Sequence, residues 1–215
     1  MFIISNNCLG GFIYRDILKT QYASPFIWTS VHPDEYIQMI DEFANIDLEN
    51  AEIVKEKEGL SNNFDILLCE KYHVHNHHMW FNKNVKMPTI SGPNKCDVNY
   101  CKIWEYIYDN WMRRSKRAKK EEKKLFLFYD NFGLCKNPQK LTDVMKKHSE
   151  YTCIAFTDKE IISLENLIVK KIDFSWGDEP GGWYNSFMKT HKKFLEEYLK
   201  IYDRNRKNRI SNRAN

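Results

Sequence analysis

One cysteine near the start of the chain has the surroundings of a reactive thiol. Cys8 follows the apolar, β-type run Phe2–Ser5 and the pair Asn6–Asn7. It precedes the pair Gly10–Gly11 and a segment with helix-like apolar spacing, Phe12 to Leu18. This order places the sulfur at a helix N-terminus, where backbone N–H groups and the helix dipole favour an anion, so the pattern predicts a lowered thiol pKa and a nucleophile. The alternative is a small buried hydrophobe at the end of a core strand, since free cysteine is among the most buried residue types.

A histidine cluster could serve that thiol. Four of the seven histidines fall within one short stretch: His73, His75, His77 and His78. If the stretch is a strand, the first three share one face and could hold Zn²⁺ with Cys96 or Cys101. The spacing is not a recognised zinc signature, so we predict no metal site. The remaining alternatives are a polar loop edge and one histidine acting as general base for Cys8.

A basic segment from Trp111 to Lys120 is the third candidate for chemistry. Arg114 and Arg117 lie three residues apart on one side of a predicted helix and could clamp a phosphate or carboxylate. The alternative is a solvated helix face. Acids at Glu121–Glu122 interrupt the run, and the net charge is only +4, so nucleic acid is not a predicted partner.

The elements that position these residues alternate between strands and helices. Strands are predicted at Phe2–Ser5, Phe64–Cys69, Leu125–Tyr129, Thr152–Phe156 and Val169–Phe174, and helices at Gly11–Leu18, from Pro33, and at Cys101–Lys124, Lys140–His148 and Ser186–Tyr202. Asn82–Asn99 is predicted to be a long loop, and Ala51–Glu58 has only a weak pattern. The alternation indicates an α/β fold, with a mostly parallel or mixed sheet flanked by helices in one layered α/β/α domain. Cys8, the histidines, Asp130 and Thr157 each follow a predicted strand, which is where ligands bind in such folds.

Length and composition set the broad class. The chain has 215 residues, 42% of them hydrophobic, which is enough for one core. We predict one domain over residues 1–202 and a polar, basic tail over 203–215. No apolar run approaches the roughly 20 residues of a membrane span, and no signal peptide is recognisable at the start. Six scattered cysteines fit reduced thiols better than a disulfide framework. We therefore expect a cytoplasmic protein.

Several motifs resemble a bacterial exopolysaccharide-biosynthesis family, domain of unknown function 1919. The opening Ser5-Asn6-Asn7-Cys8-Leu9-Gly10-Gly11 is similar to that family's Ser-Asn-Asn-Cys-Trp-Gly-Gly, with Leu9 in place of Trp. Further similarities are Ser24–Phe26, His75–His78, Trp111–Arg117, Phe126–Asp130 and Cys153–Thr157. Ser24 to Trp28 also resembles a segment of bacterial papain-like cysteine peptidases. The two resemblances imply Cys8 as nucleophile and His78 as base, with His75 the second choice.

The hypothesis that follows is a thiol enzyme of surface-polysaccharide assembly, working by acyl transfer or hydrolysis. Backbone N–H groups around Leu9 to Gly11 would stabilise an oxyanion, and Asp130 would orient the base. The substrate-binding residues would be Asn6, Asn7, Gly10, Gly11, Arg114 and Arg117. The substrate would be a small molecule or saccharide, with acyl-coenzyme A or a nucleotide-sugar as co-substrate.

Two other classes stay open. One is a glycosyl- or phosphosugar-transferase of the same pathway, in which Asn6, Asn7 and the arginines grip a nucleotide-sugar and Cys8 is structural. Cys8→Ser would then keep full activity. The other is a non-catalytic binding protein, which would have no thiol of unusual reactivity.

Overall fold

Eight strands and five α-helices are found in the ranges that the computed structural model describes, which are 2–27, 29–55, 64–68, 71–76, 96–121, 124–130, 133–172 and 182–213. The strands are β1 Phe2–Ser5, β2 Thr29–Ser30, β3 Ala51–Lys55, β4 Phe64–Leu68, β5 Tyr72–Asn76, β6 Lys124–Tyr129, β7 Thr152–Thr157 and β8 Leu167–Lys171. The helices are α1 Leu9–Phe12, α2 Pro33–Glu42, α3 Cys96–Lys120, α4 Gln139–Lys147 and α5 Gly182–Arg213. A π-helical segment, Ile13–Leu18, continues α1, and a 3₁₀ turn, Phe43–Asn45, follows α2.

The strands form two sheets, which confirms the α/β class. One is parallel, in the order β1-β6-β7-β8, and the other is antiparallel, in the order β2-β5-β4-β3. The parallel sheet is covered on both faces, which is why its strands are continuous apolar runs rather than alternating ones.

Alternate residues of the parallel sheet enter two different cores. Ile3, Leu125 and Phe156 pack with α1, the π-helical segment and α5. On the opposite face, Phe126 and Ala155 pack with α2, α4, the buried part of α3 and the antiparallel sheet. The period-2 geometry of strands therefore distributes one set of strands between two helical layers.

The antiparallel sheet was not predicted as a separate unit. Ala51–Lys55 is β3, although Ile53 is the buried side chain among its first three residues. β3 pairs with β4, Phe64–Leu68, which is separated from it in the sequence, so the residues of β3 alone give little sign of the pairing. The weak pattern assigned to Ala51–Glu58 is therefore corrected for its first five residues.

Helix boundaries differ most at the ends of the long helices. The helix predicted at Cys101–Lys124 runs from Cys96 to Lys120, so the end of the predicted loop Asn82–Asn99 is helical and its part up to residue 95 lies outside the described residues. The helix predicted at Ser186–Tyr202 runs from Gly182 to Arg213. Its backbone therefore passes through the predicted domain boundary at 202, because no Gly or Pro interrupts residues 203–213. In the described part of the chain, no helix combines the length and apolarity needed to cross a bilayer.

Candidate functional site

The predicted catalytic residues that the structure describes lie at the carboxyl edge of the parallel sheet and at the adjoining edge of the antiparallel sheet. Cys8 follows β1, while Asp130 and Thr157 lie at the ends of the neighbouring strands β6 and β7. Because parallel strands end at a common edge, the turn after β1 and the turn after β6 are adjacent. The sheet order thus confirms that these strand ends share one edge of the molecule.

Cys8 is half-buried and immediately precedes α1. Its carbonyl accepts a hydrogen bond from Phe12 N–H at 3.2 Å. Its side chain packs against the core that contains Ile3 and α5. Burial raises the pKa of the Cys8 thiol to about 12, and the residue's own backbone N–H offsets only part of this effect. The expected lowering of the thiol pKa is therefore wrong: desolvation outweighs the helix N-terminus.

The side chains of Asn6 and Asn7 stabilise the turn between β1 and α1 through hydrogen bonds. The Asn6 side chain donates to Tyr129 O and accepts from Tyr129 N–H, both at 2.8 Å, so it extends the β1–β6 ladder with a side-chain amide. Asn7 Oδ1 accepts from Leu9 N–H at 3.0 Å and from the Ser5 hydroxyl at 3.2 Å. Both side chains are buried. These contacts give both side chains a structural role in the turn, and substrate binding by Asn6 and Asn7 stays a prediction.

The two glycines bring α1 close to β1. A Cβ at Gly10 would lie 3.1 Å from Ser5 Cβ and 3.5 Å from Phe26 O, so only glycine fits this crossing without a shift. Gly11 is also buried. Because Asn7 already occupies Leu9 N–H, the Gly10 and Gly11 amides are the donors left in this turn for the predicted oxyanion.

The histidine strand lies beside this turn. Val31 N–H donates to Asn6 O at 2.9 Å, and the preceding residue, Ser30, pairs directly with His75 in the β2–β5 ladder. One backbone hydrogen bond and one strand pairing therefore connect Asn6 to β5, the strand that carries His73 and His75. His73 and His75 share a face, with ring centroids 4.7 Å apart. His77 and His78 lie outside the described residues.

The metal alternative finds no set of ligands in the described part of the chain. No group of three or more His, Cys, Asp or Glu side chains there could hold a metal ion. His77 and the side chains of Cys96 and Cys101, which the zinc hypothesis also used, lie outside the described residues.

Asp130 is completely buried and fully engaged. Its Oδ1 accepts from Cys135 N–H at 2.8 Å, and its Oδ2 accepts from the Thr157 hydroxyl at 2.9 Å. Lys159 Nζ lies 3.6 Å from the same carboxylate. No described histidine is among its partners. Asp130 therefore fastens the loop after β6 to the end of β7, and its predicted role of orienting a histidine has no support in these contacts.

The two candidate arginines have different surroundings. Arg114 is 5% exposed and its guanidinium lies 5.7 Å from the centre of the Tyr22 ring, whereas Arg117 is exposed. They therefore do not form the paired clamp that their spacing suggested. Tyr14, which stands six residues after Cys8 in the sequence, also acts electrostatically on Arg114. No described contact joins Arg114 to Cys8.

Sequence reasoning missed the residues that surround these charges. The sequence analysis singled out neither Tyr14 and Tyr22 beside Arg114 nor Lys159 beside Asp130. Only the order Thr157-Asp158-Lys159 directly after the predicted strand Thr152–Phe156 could have drawn attention to Lys159.

Comparison with known proteins gives one family match. Residues 1–89 match the model of a family described as a domain of unknown function, DUF1919. The matched part contains β1, the Cys8 turn, α1, α2 and the antiparallel sheet. It ends before α3, so Arg114 and Asp130 lie beyond it. No curated protein matches the sequence.

Proposed function

We propose that this protein is a thiol-dependent enzyme in which Cys8 attacks an activated acyl group and a histidine of the β5 region removes the thiol proton. The observation that supports this proposal is the backbone connection from Asn6 through Val31 and Ser30 to His75. His78, which follows β5 by two residues, is the first choice of base and His75 the second. Cys–His pairing between separate elements is the usual arrangement of a thiol nucleophile.

The chemistry follows from the protonation state of the thiol. Because burial raises its pKa to about 12, Cys8 is protonated at neutral pH and needs a base during attack rather than a preformed thiolate. Sulfur bonds to the acyl carbon, the thiol proton moves to the histidine, and the leaving group departs with that proton. The histidine then takes a proton from water or a sugar hydroxyl as its oxygen attacks the thioester, the S–C bond breaks, and this proton passes to sulfur. The Gly10 and Gly11 amides would stabilise each oxyanion.

The biological setting is proposed from sequence resemblance. The similarity of Ser5–Gly11 to the opening motif of exopolysaccharide-biosynthesis proteins favours a saccharide acceptor. An acyl-coenzyme A would then be a suitable donor.

An acyl-capture experiment tests this proposal. The protein is mixed with p-nitrophenyl acetate, nitrophenolate release is followed by absorbance, and the acetylated peptide is mapped by mass spectrometry. We expect a rapid release of about one equivalent and acetyl on Cys8. Cys8→Ser should remove both, whereas Cys135→Ser, which changes another described free thiol, should keep them. Acetylation elsewhere, or an unchanged burst in Cys8→Ser, would refute the nucleophile.

A second candidate is a glycosyl- or phosphosugar-transferase with a structural Cys8. The raised thiol pKa and the unpaired, buried charge of Arg114 favour it. It requires that Cys8→Ser retain turnover of a nucleotide-sugar, which the thiol mechanism does not allow.

A further inference from the structure

Arg114 is a buried cation without an acidic partner in the described part of the chain. Its side chain is 5% exposed, and its Nε has no hydrogen-bond partner. The groups whose charge acts on it are three tyrosines and a second cation: Tyr106, Arg113, Tyr22 and Tyr14. None of these can neutralise a guanidinium at neutral pH.

Such an arrangement is energetically unfavourable unless something completes it. Arg is almost never fully buried without a partner, and an unpaired buried donor loses the hydrogen bonds it would make to water. Burial lowers the pKa of Arg114 to about 10, so the side chain is still charged at neutral pH. The protein therefore maintains a desolvated positive charge at this position.

The positive charges at this position favour an anionic ligand. Arg113 is exposed and adds positive potential next to Arg114. The charge of Glu121 acts on Tyr14 and is not among the main charges acting on Arg114. Tyr14 is itself fixed in place, because its hydroxyl accepts from Ile3 N–H at 3.1 Å.

A cavity next to this cluster could hold the rest of a ligand. It lies between the π-helical segment and α5, has a volume of about 680 Å³, and includes Tyr14 in its wall. Gln21 and Ala23, the neighbours of Tyr22, also line it. Its charged lining is mixed, with the cations Lys19, Lys192 and Lys200 and the acids Asp16 and Glu196. The volume is within the range of small-molecule sites.

We propose that Arg114, Tyr14 and Tyr22 form a binding site for a single oxyanion group, a phosphate or a carboxylate, carried by a small-molecule ligand. The planar guanidinium fork binds either group through two hydrogen bonds. The site is separate from the Cys8 turn, and this inference does not depend on the chemistry proposed there.

Thermal unfolding of the full chain tests the site. Sodium phosphate and sodium acetate are titrated separately against sodium chloride at equal ionic strength. A saturable rise in Tm, about 3–6 °C at ten times the apparent Kd, is expected for at least one of the two oxyanions. A response to phosphate alone identifies a phosphate-bearing ligand, and a response to acetate alone a carboxylate.

Two arginine variants locate the effect. Arg114→Met should abolish the oxyanion-specific shift, whereas Arg117→Met, on the exposed side of the same helix, should retain it. Cys8→Ser should retain it too. If Arg114→Met does not fold, Arg114→Lys serves instead and should weaken the apparent affinity about tenfold or more, because lysine lacks the fork. No shift beyond that of chloride, or a full shift in the tested Arg114 variant, would overturn the proposal.

Discussion

Asp130 and Arg114 are both buried charges, and the protein treats them in opposite ways. Asp130 has a backbone N–H, a hydroxyl and an ammonium group around its carboxylate. Arg114 has aromatic rings and a second cation nearby, and its Nε has no partner. Asp130 therefore belongs to the architecture of the sheet edge, whereas Arg114 has no such partner among the described residues, which is why we propose a ligand there.

Asn6 and Asn7 resemble Asp130 rather than Arg114. The Asn6 side-chain amide and the Asn7 side-chain oxygen form hydrogen bonds within the protein. These residues explain how the sheet edge is held in shape. The groups at that edge to which we assign chemistry are therefore Cys8, the Gly10 and Gly11 amides and the histidines of the β5 region.

Removal of the Asp130 carboxylate should have the largest effect on the free energy of unfolding. Asp130→Ala leaves Cys135 N–H and the Thr157 hydroxyl without an acceptor and Lys159 without a counter-charge. It should lower the free energy of unfolding by about 3–5 kcal/mol in urea titrations. Asp158→Ala, the exposed neighbouring acid, should change it by less than about 0.5 kcal/mol. A loss below about 1 kcal/mol for Asp130→Ala would contradict the structural role.

Asn6→Ala should have the next largest effect. It removes the side-chain partner of both the N–H and the C=O of Tyr129, with an expected loss of about 2–4 kcal/mol in the same titrations. Asn7→Ala removes one cap of α1 and should cost only about 1 kcal/mol. Equal losses for the two variants would show that Asn6 does not extend the β1–β6 ladder.

Arg114→Met should behave differently from Asp130→Ala despite similar burial. Exchanging an unpaired buried cation for an apolar side chain of similar length should leave stability unchanged or raise it by up to about 2 kcal/mol in buffer without oxyanions. Arg117→Met is the exposed control. A loss near that of Asp130→Ala would mean that Arg114 already has a structural partner, and the contrast would fail.

A change of pH should have a smaller effect on the free energy of unfolding. Burial raises the pKa of Asp130, and its hydrogen bonds from Cys135 and Thr157 offset this only in part. A folded-state pKa above the unfolded value means that this group's stabilisation is present at low pH and is lost as pH rises through the folded pKa. The stability advantage of wild type over Asp130→Asn should therefore be larger at acidic pH than at pH 7. A constant difference across that range would contradict the shift.

Local sequence patterns predicted the parallel sheet well. β1 has the predicted bounds, because an apolar run ends at an Asn pair, and β6 differs by one residue. The antiparallel sheet depends on non-local pairing of short strands, which leaves little periodic signal. The bounds of α3 were shifted because its first residues lie in a stretch that looked like loop.

The site was only partly predictable for a related reason. Strand-end placement put Cys8 and Asp130 at the same sheet edge, since alternating strands and helices favour parallel strands whose carboxyl ends share an edge. Arg114 lies in a charge run that is typical of a solvated helix, and its burial, with the Tyr22 ring nearby, results from tertiary packing. The thiol pKa likewise depends on how tightly the turn packs, which spacing does not encode.

A histidine of the β5 region is proposed to assist Cys8, so removing that histidine should slow the reactions of the thiol. The most direct measurement is the rate of Cys8 alkylation by iodoacetamide at pH 7, mapped by mass spectrometry in wild type, His75→Ala, His78→Ala and the distant control His148→Ala. We predict that Cys8 reacts faster than the buried Cys135 and Cys153, and that its rate falls about 100-fold or more in one of the two β5-region variants but not in His148→Ala. An unchanged rate in both His75→Ala and His78→Ala, or a Cys8 no faster than Cys153, would contradict the claim.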